Sequence, residues 1–289
     1  MKFKLLITGA NSPLGQAVAR RAKLLDCSVT GTLRKLMNLD MLPMFDCLLP
    51  LNLEDPDSIR ALSGEFDAVI HVAGLSSGST EKLFNVNAMG SERLIKRVVS
   101  LKAKRFIYVS GISIYGEPKN GRVDSDTPIR HSSPYGASKW MAECLLSHLQ
   151  DKIAVTCVRS PAIVGHRDPS HRNFISSLYS AMQSGVSVIE VSNPDFLFNN
   201  VIHDETLADF LVDLSFRHST TPFAFPVGSS PNLRLEDVVR FLVAKTQFEG
   251  RIRWKSSPNS PFQIVLDDAV KNGFQPITTS ATLEKWLDD

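Results

Sequence analysis

The chain has 289 residues, of which 43% are apolar and 21% charged, and its formal net charge is +2. That length suits one large α/β domain with a smaller one appended, and the composition is that of a globular protein. A near-neutral balance offers no general attraction for nucleic acid or an anionic membrane, and leaves only a local basic site for a phosphorylated ligand.

The first 160 residues alternate short apolar runs with helical patterns, which predicts a parallel sheet covered on both faces. Residues 4–8 form a bounded apolar run and read as the first strand. Leu14, Val18, Ala22 and Leu25 follow at helical spacing and give the first helix an inward stripe. Further strands are expected at 28–33, 47–51, 68–72, 105–110 and 153–159, with helices at 87–101 and 134–149. After Arg159 the alternation gives way to prolines and isolated helices at 174–184, 206–216 and 234–246. The expected division is a Rossmann-type doubly wound α/β domain over 1–160, binding a dinucleotide, and a smaller α+β, mainly substrate-binding region over 161–289, interleaved with late elements of the sheet. A last helix from about 280 carries Leu283, Trp286 and Leu287 on a packing stripe.

The first strand runs into Thr8-Gly9-Ala10-Asn11-Ser12-Pro13-Leu14-Gly15 and on into a helix. Such a turn brings backbone N–H groups and the positive helix end against a pyrophosphate. Gly9 permits the tight turn, Gly15 lets the helix pack close to the strand, and Ser12 takes the middle small position. Asn11, Pro13 and Leu14 complete this group of cofactor candidates, joined by Asn52 and Leu53 beyond the third strand. NAD sites usually place a carboxylate about 20 residues on, at the end of the second strand. Here that segment reads Gly31-Thr32-Leu33-Arg34-Lys35, with no acid before Asp40. A guanidinium at Arg34 suits a 2′-phosphate, and Thr32 adds a hydroxyl, so NADP is the expected cofactor and NAD the alternative.

Pro134-Tyr-Gly-Ala-Ser-Lys139 places a phenol and an ammonium one helical turn apart. A phenol with a pKa of about 10 is a poor acid or base at neutral pH. A neighbouring ammonium would lower that pKa, making the pair a proton-transfer device for carbonyl/alcohol interconversion.

Taken in order, these stretches resemble the extended short-chain dehydrogenase/reductase family, in its nucleotide-sugar epimerase, dehydratase and reductase branch. The likeness rests on Thr8-Gly9-x-x-Ser12-x-x-Gly15, Asp67-Ala-Val-Ile-His-Val-Ala-Gly74, Asn87-Ala-Met-Gly90 and Tyr108-Val-Ser-Gly-Ile-Ser-Ile-Tyr-Gly116. It continues through Tyr135-x-x-x-Lys139, Arg159-Ser-Pro161, Phe198-Asn-Asn-Val-Ile-His203 and Asn272-Gly-Phe-Gln-Pro276. The resemblance implies that Tyr135 exchanges a proton with the substrate oxygen, while Lys139 lowers its pKa and bonds the nicotinamide ribose. It implies close passage of the cofactor past Ala73 and Gly74, a bracing role for Asn87, and Pro161, Ala162 and Ile163 beside the nicotinamide. The cofactor would supply the redox chemistry and the protein its orientation.

Three departures from the family pattern stand out. The family's carbonyl-polarising Ser/Thr falls on Gly111, so Ser113, two residues on along a continuing strand, is the favoured substitute, with Ser110 flanking the other side. A dehydratase's Asp-Glu pair is replaced by Ile112 and Ser113. Asn199 stands where many members carry an Arg on the sugar diphosphate, leaving Arg167, His171, Arg172, Arg251 and Arg253 as other anion contacts.

The favoured function is an NAD(P)-dependent oxidoreductase on a nucleotide-linked sugar, preferentially a 4-keto-sugar reductase using NADPH. A nucleotide-sugar epimerase with transient oxidation at C4 stands close behind, and the same chemistry on a non-sugar carbonyl is a further version. A non-catalytic NADP-binding regulator is the alternative from another class. Cys27, Cys47, Cys144 and Cys157 show no metal-type spacing, nor do His71, His131, His148, His166, His171, His203 and His218, so no metal is expected. No stretch approaches the ~18 apolar residues needed to cross a bilayer, and the expected setting is cytoplasmic. The resemblance also implies a homodimer that packs the helix bearing Tyr135 together with the one from Asn87, with which exposed apolar residues such as Trp140, Met141 and Leu145 would be compatible.

Overall fold

The computed structural model describes residues 2–35, 39–119, 121–131, 133–165, 173–217, 221–257 and 262–288. His166, Arg167, His171, Arg172 and His218 lie outside these residues. The chain forms two compact units, neither continuous in sequence. One comprises Met1–Gly116, Ile129–Arg159 and Asp204–Phe225; the other comprises Glu117–Pro128, Ser160–His203 and Pro226–Asp289. The change of unit at Arg159 is thus one of several, and a late helix and strand return to the first unit.

The first unit is built on a seven-stranded sheet. Its strands are β1 (Lys4–Thr8), β2 (Ser28–Leu33), β3 (Cys47–Pro50), β4 (Ala68–His71), β5 (Arg105–Gly111), β6 (Ala154–Ser160) and β7 (Ala224–Pro226), in the order β7-β6-β5-β4-β1-β2-β3. The pairs β1/β2, β1/β4, β2/β3 and β4/β5 are parallel. Strands covered on both faces need continuous apolar runs, and Leu5, Leu6 and Ile7 in β1 and Ala68, Val69 and Ile70 in β4 are fully buried. Burial of each larger aliphatic side chain contributes about 2 kcal/mol. The order reverses between β1 and β4, so their C-terminal ends, where Thr8 lies opposite His71, form the topological switch point at which open α/β sheets bind ligands.

The helices of this unit include α1 (Pro13–Leu24), α2 (Pro56–Ala61), α3 (Ser91–Ser100), α4 (Pro134–Ser147) and α5 (Asp204–Ser215), and α1 packs on α5. Two expectations are corrected here. Leu14, Val18 and Ala22 are buried as the stripe requires, but α1 ends at Leu24 and Leu25 is 41% exposed as its C-cap. The helix expected from Asn87 begins at Thr80: Thr80–Leu83 is α-helical, Phe84–Gly90 is π-helical, and α3 continues from it. A π turn widens the helix by one residue and shifts its phase, which hides the 3.6-residue pattern. Helix α2, capped by Asp55 with Pro56 at its first position, is too short for a periodic signal.

The second unit contains small sheets and three longer helices, Phe174–Gln183, Leu235–Thr246 and Thr279–Asp288. Its apolar core includes Ile175, Val201, Val238, Leu242, Leu283 and Trp286. The strand Ala162–Val164 pairs in parallel with Val201–His203. Arg253 is engaged by Glu190 across a neighbouring strand pair. Asn199, where the resemblance leads one to expect an anion-binding Arg, is 1% exposed. Its Nδ2 donates to the Ile264 carbonyl at 2.8 Å, and its Oδ1 accepts from the Ile264 N–H at 3.0 Å. Both ends of the amide are therefore spent on backbone. Asn199→Ala would leave a buried N–H and C=O without that partner, and is expected to cost about 1–3 kcal/mol, read as a lowered urea-unfolding midpoint.

Candidate active site

The turn after β1 is organised by Ser12. Its Oγ donates to the Gly9 carbonyl at 2.7 Å and accepts from the Gly15 N–H at 3.0 Å, so the side chain is the N-cap of α1. Serine here closes the turn from inside. Pro13 takes the first helical position and Leu14 is buried behind it, while Asn11 is exposed. A Cβ on Gly15 would overlap the Gly9 carbonyl oxygen, and one on Gly9, whose φ is +75°, would meet the Ala73 nitrogen at 3.1 Å. The glycines thus bring the turns after β1 and β4 together.

Behind them lies a buried polar chain. The Ala73 N–H donates to Thr8 Oγ1 at 3.1 Å, and Thr8 Oγ1 lies 2.6 Å from His71 Nδ1. His71 Nε2 lies 2.9 Å from Ser91 Oγ, whose own hydrogen is given to the Asn87 carbonyl at 2.6 Å. Ser91 must then accept, which assigns the hydrogen of His71 to Nε2 and makes Nδ1 the acceptor from Thr8. Burial, reinforced by the charge of Lys139, lowers the His71 pKa to about 3 and keeps the ring neutral. The Asn87 amide brackets Leu75, accepting its N–H at 2.7 Å and donating to its carbonyl at 2.8 Å. Its Nδ2 also reaches Ser138 Oγ at 3.0 Å, which in turn donates to the Tyr135 carbonyl at 2.8 Å.

Helix α4 starts where Ser133 caps the Gly136 N–H, with Pro134 at the first position. Tyr135 is half-buried on its first turn and Lys139 is 5% exposed one turn on. The Lys139 ammonium donates to the Val109 carbonyl at 2.9 Å and lies 4.7 Å from the Tyr108 ring centroid. It also comes within 3.4 Å of where a Cβ on Gly74 would stand, beside Asn87 Oδ1 at 3.0 Å. This open strip along Gly74, with an ammonium and an amide at its side, fits a ribose edge that carries hydroxyls. Burial raises the Tyr135 pKa and lowers that of Lys139 to about 8, against the opposing effects of Glu143 and Cys157. The phenol is therefore held protonated at neutral pH, in contrast to the lowered pKa expected from the spacing. The ammonium is directed at a carbonyl and a ring face.

The continuing strand expected through Ser113 stops at Gly111, and Ile112–Tyr115 forms a 3-10 turn. Ser113 lies on that turn, and a Cβ on Gly136 would lie 2.5 Å from its carbonyl oxygen. The buried hydroxyls of Ser110 and Ser113 have no hydrogen-bond partner among the described residues. At the end of β2, Thr32 is 2% exposed while Arg34 and Lys35 are exposed, so the guanidinium and not the Thr32 hydroxyl is open to solvent. Asn52 is tied to the start of α2 through Ser58, and Leu53 is buried. Gly9, Ala73, Gly74, Lys139, Tyr135 and Ser113 thus belong to one unit, as do Arg34, Asn52 and Leu53. Pro161 and Ile163 belong to the other, Pro161 buried and Ile163 paired with Ile202. Sequence reasoning passed over Glu143, although it extends the face of Tyr135 and Lys139 by a further turn. Met141 is 42% exposed, whereas Trp140 and Leu145 are partly covered. Among the described residues there is no cluster of metal-ligating side chains, and no helix long and apolar enough to cross a membrane.

Lys139 carries a testable cost. Between about pH 8 and 10.5 the unfolded chain keeps a proton that the folded chain has released, so stability rises with pH there; below about 8 the penalty is constant. Lys139→Met is expected to stabilise the protein at pH 7 by about 1–3 kcal/mol, a gain that disappears toward pH 10.5 in denaturation curves.

The sequence model of the NAD-dependent epimerase/dehydratase family matches residues 5–198. Protein y4nG of Sinorhizobium fredii is 24% identical over 231 residues, which cover 77% of this chain and 55% of that protein. UDP-glucose 4-epimerase of Bacillus subtilis is 31% identical over 104 residues, 34% of this chain and 30% of the relative. The aligned regions thus span about half or less of these curated relatives. The UDP-glucose 4-epimerase structure from Thermotoga maritima with UDP-glucose has a TM-score of 0.83 at 17% identity, covering 99% of this chain and 98% of that one. The Bacillus cereus UDP-glucuronic acid 4-epimerase in complex with NAD also scores 0.83, at 18% identity with the same coverage. The fold is shared with these structures, and the family match runs from β1 through most of the chain: the protein belongs to the NAD-dependent epimerase/dehydratase family.

Proposed function

We propose that the chain is an NAD(P)-dependent oxidoreductase acting on a nucleotide-linked sugar, run as net reduction of a 4-keto sugar with NADPH. The observation that carries this reading is a half-buried phenol, kept protonated by its surroundings, on the same helix face as a buried ammonium. A protonated phenol is the form that donates to an oxygen gaining negative charge, as in carbonyl reduction. A nicotinamide dinucleotide supplies the hydride when bound. Its pyrophosphate would lie against the Gly9–Gly15 turn and the start of α1, and its ribose along Gly74 and Lys139. Tyr135 would deliver its hydroxyl proton to the substrate oxygen, with Ser113 donating a hydrogen bond to the same oxygen. Asn87 and Ser138 hold the backbone on both sides of this site, so the donors need little reorganisation.

Arg34 supports the phosphorylated cofactor, since it is exposed at the end of β2 and no carboxylate accompanies it. The second reading, epimerisation with NAD, draws on the relatives named UDP-glucose 4-epimerase. The two part on a simple assay. Net reduction predicts loss of NADPH absorbance with a nucleotide-linked 4-keto sugar; epimerisation predicts conversion of UDP-glucose at C4 with no net change in nicotinamide. Tyr135→Phe should lower turnover by about 10²–10⁴-fold in either case, and full activity in that variant would remove the phenol from the mechanism. Arg34→Ala should weaken NADPH binding by about tenfold while leaving NADH binding unchanged, read by the fluorescence of the bound dinucleotide. Equal wild-type affinities for the two would refute the preference for NADP.

A further inference from the structure

Glu143 is fully buried on α4, one turn beyond Lys139 and two beyond Tyr135. Its carboxylate takes Arg159 Nε at 3.2–3.3 Å and the guanidinium NH2 at 2.8 Å. The third arm of the same guanidinium, NH1, donates to the Tyr115 hydroxyl at 2.9 Å, and the guanidinium carbon lies 5.2 Å from the Tyr115 ring centroid. Burial opposes the charge on Arg159, but Glu143 and Tyr115 outweigh it and raise its pKa. Burying an ion pair costs desolvation free energy that the pairing barely offsets, so stability alone is a weak reason for this arrangement.

The relay ends on the turn that carries Ser113. On the backbone of that turn the Gly116 N–H reaches the Ser113 carbonyl at a long 3.4 Å, and the Arg130 N–H reaches the Ile114 carbonyl at 3.2 Å. At its near end the turn touches α4 through the backbone contact at Gly136. At its far end Tyr115, itself fully buried, connects through Arg159 to Glu143 on the same helix. Two attachments to one rigid helix fix both the distance and the rotation of the segment between them. We infer that Tyr115, Arg159 and Glu143 are positioning residues that lock the Ser113 turn against the helix bearing Tyr135, so that the two hydroxyls address one substrate oxygen. This rests on the reading of Ser113 as the substrate-facing hydroxyl.

Tyr115→Phe removes one oxygen and keeps the ring, which makes it the test variant. Amide hydrogen exchange at residues 113–116 should accelerate about tenfold while α4 keeps its protection. NADPH-dependent reduction of a nucleotide-linked 4-keto sugar should fall about tenfold with NADPH affinity unchanged. In a Ser113→Ala background Tyr115→Phe should cause no further loss, because both changes act through one hydroxyl. Arg159→Lys, which keeps a charge for Glu143 but shortens the reach to Tyr115, should loosen the same four residues. Unchanged exchange in the turn, equal acceleration in the turn and α4, or independent losses in the two backgrounds would each overturn the inference. A fully active Ser113→Ala would instead refute the role of Ser113. The exchange measurement needs no turnover, and it still decides whether the relay holds the turn.

Discussion

The site depends on one positive charge placed where the interior disfavours it. Lys139 comes off α4 beneath the ends of β4 and β5, and burial pulls its pKa to about 8. Three features keep it charged at neutral pH: the Val109 carbonyl it bonds, the face of Tyr108 beneath it, and the negative field of Glu143. Each belongs to an element of the sheet or to α4, so the position of the ammonium is set by the core. Its neighbours answer to it. His71, kept neutral first by its own burial, is kept so further by this charge, and Gly74 passes beside the ammonium without a side chain.

From that charge outward the polar groups form closed accounts. Thr8, His71, Ser91, Asn87 and Ser138 pass hydrogen bonds from the turn after β4 to the carbonyl of Tyr135, and the donor and acceptor of each link can be assigned. Satisfied buried networks are stiff, because any displacement leaves a group unpaired in a low-dielectric interior. Against this background the hydroxyls of Ser110 and Ser113 stand out as buried donors without a protein partner among the described residues. With the Tyr108 hydroxyl, likewise buried and without such a partner, they direct attention to the strip between the end of β5, the 3-10 turn and α4.

Much of the first unit was legible because a parallel sheet needs uninterrupted apolar runs, and those runs lie between glycines and caps that punctuate them. The strand and helix bounds around Gly9, Gly74 and Pro134 fall within a residue or two of the sequence reading. Legibility failed where local pattern and geometry part. The π turn at Phe84–Gly90 erased the helical period, and Ser113 left the strand because the chain bends at Gly111 into a 3-10 turn. Asn199, read by its position against the family as a replaced anion contact, proved to be a backbone clip for Ile264.

By itself the sequence determined the main strands and helices of the first 160 residues, the Gly-rich turn after β1, and the placing of Tyr135 and Lys139 on one helical face, since all of these follow from spacings shorter than a helix or a strand. Tertiary structure alone decided the electrostatics of that pair. Burial, which depends on α4 packing against β5, α3 and the π-helical turn before it, raises the phenol and lowers the ammonium, and no local spacing carries that information. The same holds for the link from Glu143 through Arg159 to Tyr115. Its members come from a helix, a strand and a turn, and only the packed core brings them within bonding distance.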